Sequence, residues 1–404
     1  MAYTKFLHVF STKQEHDTAR SYGEGGEYHE PWVAYVNDNS KLVTYNKGWD
    51  EKYLTFEAIE SGTFSFSNSG LSYSIDEGKT WTEIAQDTNT PTINAGDRIM
   101  FKGVLNFVDG KFGPMGVGTF SSSNSFNAMG NPYSLLYGDN FVAVSDLTGK
   151  STALALLFEN CSGLISAKNI ALPATKLSES CYSKMFRGCT SLTAAPALPA
   201  TTLADSCYNG MFYGCTSLTT APVLPATTLA NYCYYGMFDS CTSLATAPAL
   251  PATTLADSCY NDMFYGCTSL TTAPALPAAT LSESCYGFMF DGCTALTTAP
   301  ELPATTLSES CYIYMFEGCT SLTTAPELPA TTLASDCYNR MFSGCTSLNY
   351  IKAMFTTTPS SNYTYNWVSG VASTGTFIKN SAATWNVTGD DGIPTGWTVE
   401  TASA

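Results

Sequence analysis

The nine residues CYNGMFYGC, Cys207 to Cys215, recur with few changes along this chain. Copies begin at 26-residue intervals, at Cys181, Cys207, Cys233, Cys259, Cys285, Cys311 and Cys337. Leucines follow the same interval, as at Leu192, Leu218 and Leu244. Periods of 20 to 50 residues are typical of stacked repeats, because one unit cannot bury its own apolar face. The sequence therefore predicts a stack of coils over residues 171–350.

Each coil is predicted to contain a short helix. On a helical wheel, the repeated Cys, Tyr, Met and Phe share one arc of about 140°. Ser or Asp before the first cysteine suits an N-cap, and a glycine such as Gly214 suits the end of a helix. The following SLTTAP is rich in β-branched residues and stops at proline, which predicts a short strand. A coil would then hold a strand, a proline-rich turn and a helix of about ten residues.

The cysteines allow three interpretations: buried thiols, disulfides or a metal site. All 15 lie in the repeats or in the degenerate unit around Cys161, and all three histidines (His8, His16 and His29) lie outside them. Parallel Cβ vectors in a stack disfavour relaxed disulfides, and a linear column does not converge on a tetrahedral zinc ion. We expect thiols that pack as small apolar side chains. We expect no cofactor and no metal.

The run MFYGCTSLTTAP, residues 211–222, resembles the AFxxCxxLxxI core of BspA-type leucine-rich repeats, with Met-Phe in place of Ala-Phe. The resemblance covers about residues 155–350. It implies a curved α/β solenoid of the kind found in bacterial surface proteins and in proteins encoded by gut phages. The unit of 26 residues is longer than is usual in that family.

Composition and charge narrow the range of partners. The chain has 404 residues, 44% of them hydrophobic, and a formal net charge of -16. That charge would repel phosphate backbones and anionic lipids, so neither nucleic acid nor a membrane surface is expected as a partner. No apolar run approaches about 18 residues, and the first residues lack the apolar core of a signal peptide.

Residues 1–48 are predicted to form a hairpin module. The stretch EPWVAYVNDNSKLVTYNK alternates in polarity, with its turn near residues 37–40. It resembles the short attachment segments of virion-associated proteins of gut phages. The resemblance implies contacts with other virion proteins through the residues Pro31, Trp32, Val33, Tyr35, Val43 and Tyr45. The alternative is a hairpin that closes the next domain.

Residues 49–128 are predicted to form a β-sandwich, because five short strand patterns have Gly, Asn and Asp between them. The five segments are YLTFEAI, GTFSFSN, LSYSI, KTWTEIA and DRIMFKGV. Within it, SIDEGKTW, Ser74 to Trp81, matches the Asp-box pattern, which resembles a structural hairpin of sialidase-like propellers. Residues 129–170 would cap the repeats and form a degenerate first coil. Residues 351–404, with Trp367, Trp385 and Trp397, would cover the other end. The expected fold is thus an α+β multidomain chain: hairpin module, β-sandwich, then an α/β leucine-rich-repeat solenoid.

No sequence pattern for catalysis is found: no phosphate-binding loop, zinc-protease motif or nucleophile elbow. Asp390 and Asp391 lack the pattern of a calcium loop, which favours a solvated turn. The variable helix positions would instead face outward, and they carry the aromatic residues Tyr213, Tyr235, Tyr265, Phe288 and Tyr314. Such rings could stack on sugars or contact a protein. The alternative is a set of exposed aromatics without a function.

These observations predict a non-enzymatic structural and adhesion protein on the surface of a phage virion, such as a fibre or a capsid or tail surface protein. Its repeats would meet a host-surface or mucosal glycan or protein, and analogy to fibre proteins implies a homotrimer. A bacterial cell-surface adhesin of the same repeat family is the first alternative. A glycan-acting enzyme that uses the β-sandwich is the second.

Overall fold

The computed structural model describes residues 9–10, 33–36, 42–45, 49–105 and 117–402, and these residues form mostly sheet with few helices and a repeat-containing region. The strands are β1 Val9–Phe10, β2 Val33–Val36, β3 Leu42–Tyr45, β4 Leu54–Ala58, β5 Phe64–Phe66, β6 Leu71–Ser74, β7 Thr82–Ile84, β8 Arg98–Gly103, β9 Phe120–Ser122, β10 Phe126–Gly130, β11 Leu164–Ile170, β12 Tyr350–Ala353, β13 Thr376–Lys379 and β14 Thr398–Thr401. The helical segments within these ranges are α1 Ser134–Tyr137 and a 3-10 turn, Gly138–Asn140.

The N-terminal strands form the predicted hairpin. Strands β2 and β3 pair antiparallel, with Val33 opposite Tyr45 and Val36 opposite Leu42. Strand β1 adds to β2 in parallel. The expected turn at residues 37–40 lies outside the described residues.

Two sheets pack together, formed by the strands between residues 54 and 130 and by β11. The larger has the strand order β11-β10-β4-β8-β6-β7, and the smaller pairs β5 with β9. The five strands predicted from the short strand patterns are present as β4 to β8. Phe56 of the larger sheet lies in the middle of the core, with its ring centroid 5.2 Å from that of Phe64 and 4.9 Å from that of Phe120 on the smaller sheet. Aromatic residues at alternate positions thus bring the two sheets together.

The Asp-box segment forms a hairpin, as predicted. Strands β6 and β7 flank it and pair antiparallel. Asp76 accepts hydrogen bonds from the backbone N–H of Thr80 at 2.9 Å and from its hydroxyl at 2.6 Å. These bonds lower the pKa of the Asp76 carboxyl to about 2. The indole N–H of Trp81 donates to the carbonyl of Gly78 at 3.1 Å, so the motif's polar groups are used within the turn.

The helix predicted in each coil is wrong. Residues 205–214 and their equivalents form a run of successive turns, which we call the turn run. Every fourth residue adopts a left-handed conformation, with φ of 56° at Ser206, 57° at Gly210 and 69° at Gly214. An α-helix of L-residues cannot contain such residues at every turn. The repeated Cys, Tyr, Met and Phe are buried together because the turn run repeats every four residues, and not because they share one face of a helix.

Backbone hydrogen bonds within the turn run alternate between local and inter-coil partners. The N–H of Met211 donates back to the carbonyl of Tyr208 at 3.1 Å. The N–H of Phe212 instead donates to the carbonyl of Met237 in the next coil at 2.9 Å. Each coil therefore satisfies its buried N–H groups only when the next coil is in place.

The strand predicted from SLTTAP is reduced to single bridges through most of the repeats. Thr220 pairs with Thr246, and Thr272 pairs with Thr298, without neighbouring pairs. Proline follows two residues later in these coils and has no N–H with which to continue a ladder. In β12 the proline is absent, and four residues pair in parallel with β13.

The repeat core consists of columns of like side chains. Phenylalanine rings stack from Phe158 to Phe342 with centroid distances of 5.4 to 5.8 Å. Tyrosines form a second buried column from Tyr182 to Tyr338. Phe120 of the smaller sheet lies 5.9 Å from Phe158 between ring centroids, so the core of the sheets continues into that of the repeats.

All fifteen cysteines are buried thiols. The second cysteine of a coil also forms a hydrogen bond, which the prediction of a small apolar side chain did not include. The thiol of Cys215 donates to the carbonyl of Phe186 at 3.1 Å, and the bond recurs at Cys189, Cys241, Cys267, Cys293, Cys319 and Cys345. Burial raises the pKa of these thiols, to about 12 at Cys267 and Cys345, which keeps them protonated at neutral pH.

Candidate functional site

Three columns of side chains form the outer face of the turn runs. Column 1 contains Ser183, Asn209, Tyr235, Asn261, Gly287, Ile313 and Asn339. Column 2 contains Lys184, Gly210, Gly236, Asp262, Phe288, Tyr314 and Arg340. Column 3 contains Arg187, Tyr213, Asp239, Tyr265, Asp291, Glu317 and Ser343. The core positions repeat the same letters, whereas these columns change chemistry from coil to coil.

A groove of about 400 Å³ crosses this face, and its residues come from four successive coils. Two neighbouring glycines, Gly210 and Gly236, leave column 2 without side chains at its middle. On either side of the glycines, column 2 contains Lys184 and Asp262, so a cation and a carboxylate lie at opposite ends of the groove. The groove exists because two coils lack the side chain that the others carry here.

Aromatic and polar side chains form the walls of the groove. Tyr213 in column 3 and Tyr235 in column 1 line it from either side of the glycines, and Asn209 lies beside them. The Tyr213 side chain is 38% exposed, which leaves ring surface open to a ligand. The Tyr235 hydroxyl is hydrogen-bonded to the Asp262 carboxylate, which fixes both groups.

The basic end of the groove contains Lys184 and Arg187. Arg187 donates to the carboxylate of Glu159 at 2.9 Å, and its guanidinium lies 5.2 Å from the ring centroid of Tyr213. The ion pair and the cation–π contact hold the guanidinium in one place. Lys184 is exposed and, among the described residues, has no ion-pair partner. This end therefore offers one fixed cation and one free cation.

The acidic end of the groove contains Asp239 and Asp262. Burial raises the pKa of Asp239 to about 6, and the neighbouring charge of Asp262 adds to the shift, although the hydroxyl of Ser240 donates to Asp239 at 2.7 Å. Burial also raises the pKa of Asp262, and the hydrogen bond from Tyr235 opposes that shift. Neither carboxylate pairs with a cation among the described residues, so both retain acceptor capacity for a ligand.

The structure separates the five aromatic residues predicted as a ligand-facing row. Tyr213 and Tyr235 line the groove. Tyr265 is 41% exposed and does not line it. Phe288 and Tyr314 stack on each other with ring centroids 4.4 Å apart, and Arg340 covers Tyr314 at 5.2 Å. These last two rings thus contact the protein itself.

The residues predicted for attachment belong to a different part of the chain. Val33 and Tyr35 lie in β2, and Val43 and Tyr45 lie in β3. Pro31 and Trp32 lie outside the described residues.

Sequence reasoning missed the glycines and the charged residues of the groove. Lys184, Gly210, Gly236 and Asp262 occupy one repeat position, and comparing that position across coils would have revealed the missing side chains. The predicted helix obscured this signal, because a glycine on the outer face of a helix indicates nothing more than lower helix propensity.

Other candidate sites are used structurally or do not form. Across residues 49–105 and 117–402, no three His, Cys, Asp or Glu side chains come together as a metal site. Asp391 accepts a hydrogen bond from the backbone N–H of Asn366 at 2.7 Å, so its carboxylate joins two segments that lie 25 residues apart in the sequence. No helix in the described ranges is both long enough and apolar enough to span a bilayer.

Comparison with known families matches the repeat region to the BspA-type leucine-rich repeat region, in six copies over residues 155–271 and 237–371. The two matches together cover more than half of the chain. The chain belongs to the BspA-type leucine-rich repeat family. A search of curated proteins found no match. BspA-type repeats indicate a surface or adhesion-type protein. The groove of this BspA-type chain lies within the matched residues.

Proposed function

We propose that this protein is a non-enzymatic adhesion protein whose stacked coils form a leucine-rich-repeat solenoid. The solenoid presents the groove to a host-surface or mucosal glycan or protein. The observation that carries this proposal is the groove itself, which opens where two successive coils have glycine in column 2.

The residues of the groove favour binding over a structural role. Tyrosine rings supply apolar surface, and Asn209, Asp239 and Asp262 supply hydrogen-bonding groups on the same concave surface. Binding sites commonly combine aromatic walls with a few well-placed polar groups. The left-handed backbone at this position favours glycine but does not require it, since the same position in other coils holds Asp, Phe, Tyr, Lys or Arg.

Filling the groove tests this proposal. We expect Gly236→Asn to weaken ligand binding by at least about tenfold, because the new side chain occupies the floor. The fold should tolerate the change, because Asp262 and Phe288 adopt φ of 57° and 54° at the same position and a Cβ at residue 236 meets only the Cβ of Asp239, at 3.9 Å. Arrays of host-surface glycans and mucosal proteins provide the measurement.

Phe288→Asn is the matched control, because it places asparagine in the same column with the same backbone conformation but outside the groove. It should retain wild-type binding. Equal binding by wild type, Gly236→Asn and Phe288→Asn would show that the groove is not the binding site.

We further propose that the N-terminal hairpin attaches the protein to a phage virion. The support is the resemblance of the segment that contains Pro31, Trp32, Val33, Tyr35, Val43 and Tyr45, together with the pairing of β2 and β3. Mass spectrometry of purified particles is expected to detect the protein at a fixed ratio to the major capsid protein. Its absence from particles and its presence in the cell-surface fraction would support a bacterial adhesin instead.

A further inference from the structure

We infer that the groove binds an acidic saccharide, with a carboxylate or sulfate group held at the end formed by Lys184 and Arg187. This inference rests on the proposed function, because it names the class of ligand for the same groove. It follows from the order of charges along column 2 and from the distribution of charge over the repeats.

Basic residues are rare in the repeats. Residues 171–350 contain 12 acidic and 4 basic residues, and two of the four bases lie together at one end of the groove. Lys184 is exposed and unpaired among the described residues. Arg187 uses one terminal nitrogen for Glu159 and keeps further N–H groups for a ligand. A single anionic group fits this end, because charge-assisted hydrogen bonds from both side chains could reach it.

The opposite end of the groove selects for a different part of the ligand. Asp239 and Asp262 are hydrogen-bond acceptors and carry negative charge, so they favour hydroxyl donors and repel a second anionic group. Between the two ends, the Tyr213 ring offers apolar surface for a face of a sugar ring. The groove therefore matches a ligand that is anionic at one end and rich in hydroxyl groups along the rest.

The length of the groove favours an oligosaccharide. Lys184 and Asp262 occupy the same position three coils apart, and adjacent coils are separated by about 5 Å, so the ends lie on the order of 15 Å apart. A densely sulfated chain is disfavoured, since its other anionic groups would lie against Asp239, Asp262 and the acidic surface beyond them.

Paired oligosaccharides provide the test. Sialyllactose carries one carboxylate and lactose none, and lactose sulfated at one hydroxyl supplies the sulfate form of the same core. Calorimetry with the full chain is expected to show at least about tenfold tighter binding of the two acidic members than of lactose. Lys184→Gln should remove most of that difference, because it deletes the exposed cation without disturbing an ion pair.

Arg187→Gln and Arg340→Gln form a matched pair of variants. Each arginine pairs with a glutamate and lies 5.2 Å from a tyrosine ring centroid, but only Arg187 lines the groove. Both should lose similar stability, whereas only Arg187→Gln should lose affinity for the acidic oligosaccharides. Equal loss of affinity in both variants would overturn the inference, because it would trace the effect to the fold.

Other outcomes separate this inference from the proposed function. If acidic and neutral oligosaccharides bound equally well, and Gly236→Asn weakened the binding of both, the acidic ligand would be overturned but the groove would remain the binding site. If the chain bound a mucosal protein but none of the oligosaccharides, and Gly236→Asn weakened that binding, the acidic ligand would again be overturned and the groove would remain the binding site. Ligand binding insensitive to Gly236→Asn would overturn both.

Discussion

Replacing Phe264 with alanine is expected to lower the free energy of unfolding by about 3–5 kcal/mol. The Phe264 ring is fully buried and lies between Phe238 and Phe290, with centroid distances of 5.8 and 5.7 Å and interplanar angles of 4° and 7°. The hydrogen bonds between coils fix the spacing of the neighbouring rings, so the cavity cannot collapse. Urea denaturation followed by circular dichroism gives the measurement.

Val223→Ala is a suitable control for Phe264→Ala. Val223 is 67% exposed and lies in the proline-rich part of a coil, so its loss should change the free energy of unfolding by no more than about 0.5 kcal/mol. A loss below about 1 kcal/mol for Phe264→Ala would contradict a close-packed ring column. Phe264→Ala should also reduce the cooperativity of unfolding, because each coil in a stack is stabilised chiefly by its two neighbours.

Replacing Trp367 with alanine is expected to destabilise the C-terminal end of the stack by about 3–5 kcal/mol. Trp367 is fully buried, and its indole N–H donates to the carbonyl of Gly392 at 2.8 Å. Its ring lies 6.1 Å from Phe342 and 5.8 Å from Phe355 between centroids, so it covers the last phenylalanine of the column. Without it, limited proteolysis should cleave residues after about 350 at protease concentrations that leave the earlier coils intact.

Trp367→Phe distinguishes ring packing from the hydrogen bond. Phenylalanine keeps a ring over Phe342 but leaves the Gly392 carbonyl without its donor, so the expected loss is about 1–3 kcal/mol. If Trp367→Ala were cleaved at the same rate as wild type, Trp367 would not hold the end of the stack.

Several local features could be predicted because short-range sequence causes them. Short segments rich in β-branched and aromatic residues, separated by Gly, Asn and Asp, predicted β4 to β8 correctly, since these residue types favour strands and turns locally. The Asp-box hairpin was predicted correctly, since its turn is held by bonds within Ser74 to Trp81. The register of the repeats was also readable, because like residues stack on like at intervals of 26.

The helix prediction failed because two periodicities coincide over a short segment. Apolar residues at positions one, two, five, six and nine of CYNGMFYGC satisfy both a helix of 3.6 residues per turn and a turn run that repeats every four. Residues that favour turns, such as Gly210 and Gly214, lie four positions apart and indicate the turn run rather than the helix. That signal is weak in sequence, because Phe288 and Tyr314 occupy the same left-handed position as Gly210.

The sequence by itself determined the 26-residue unit, the buried columns, the strands before the repeats and the aromatic content of the outer face. The tertiary structure decided the backbone conformation of the repeats, because alternate N–H groups in each turn run find their acceptors only in the next coil. It also decided which aromatic residues share a site. Tyr213 and Tyr235 line the same groove over two adjacent glycines of column 2, whereas Phe288 and Tyr314 occupy column 2 in later coils and stack on each other.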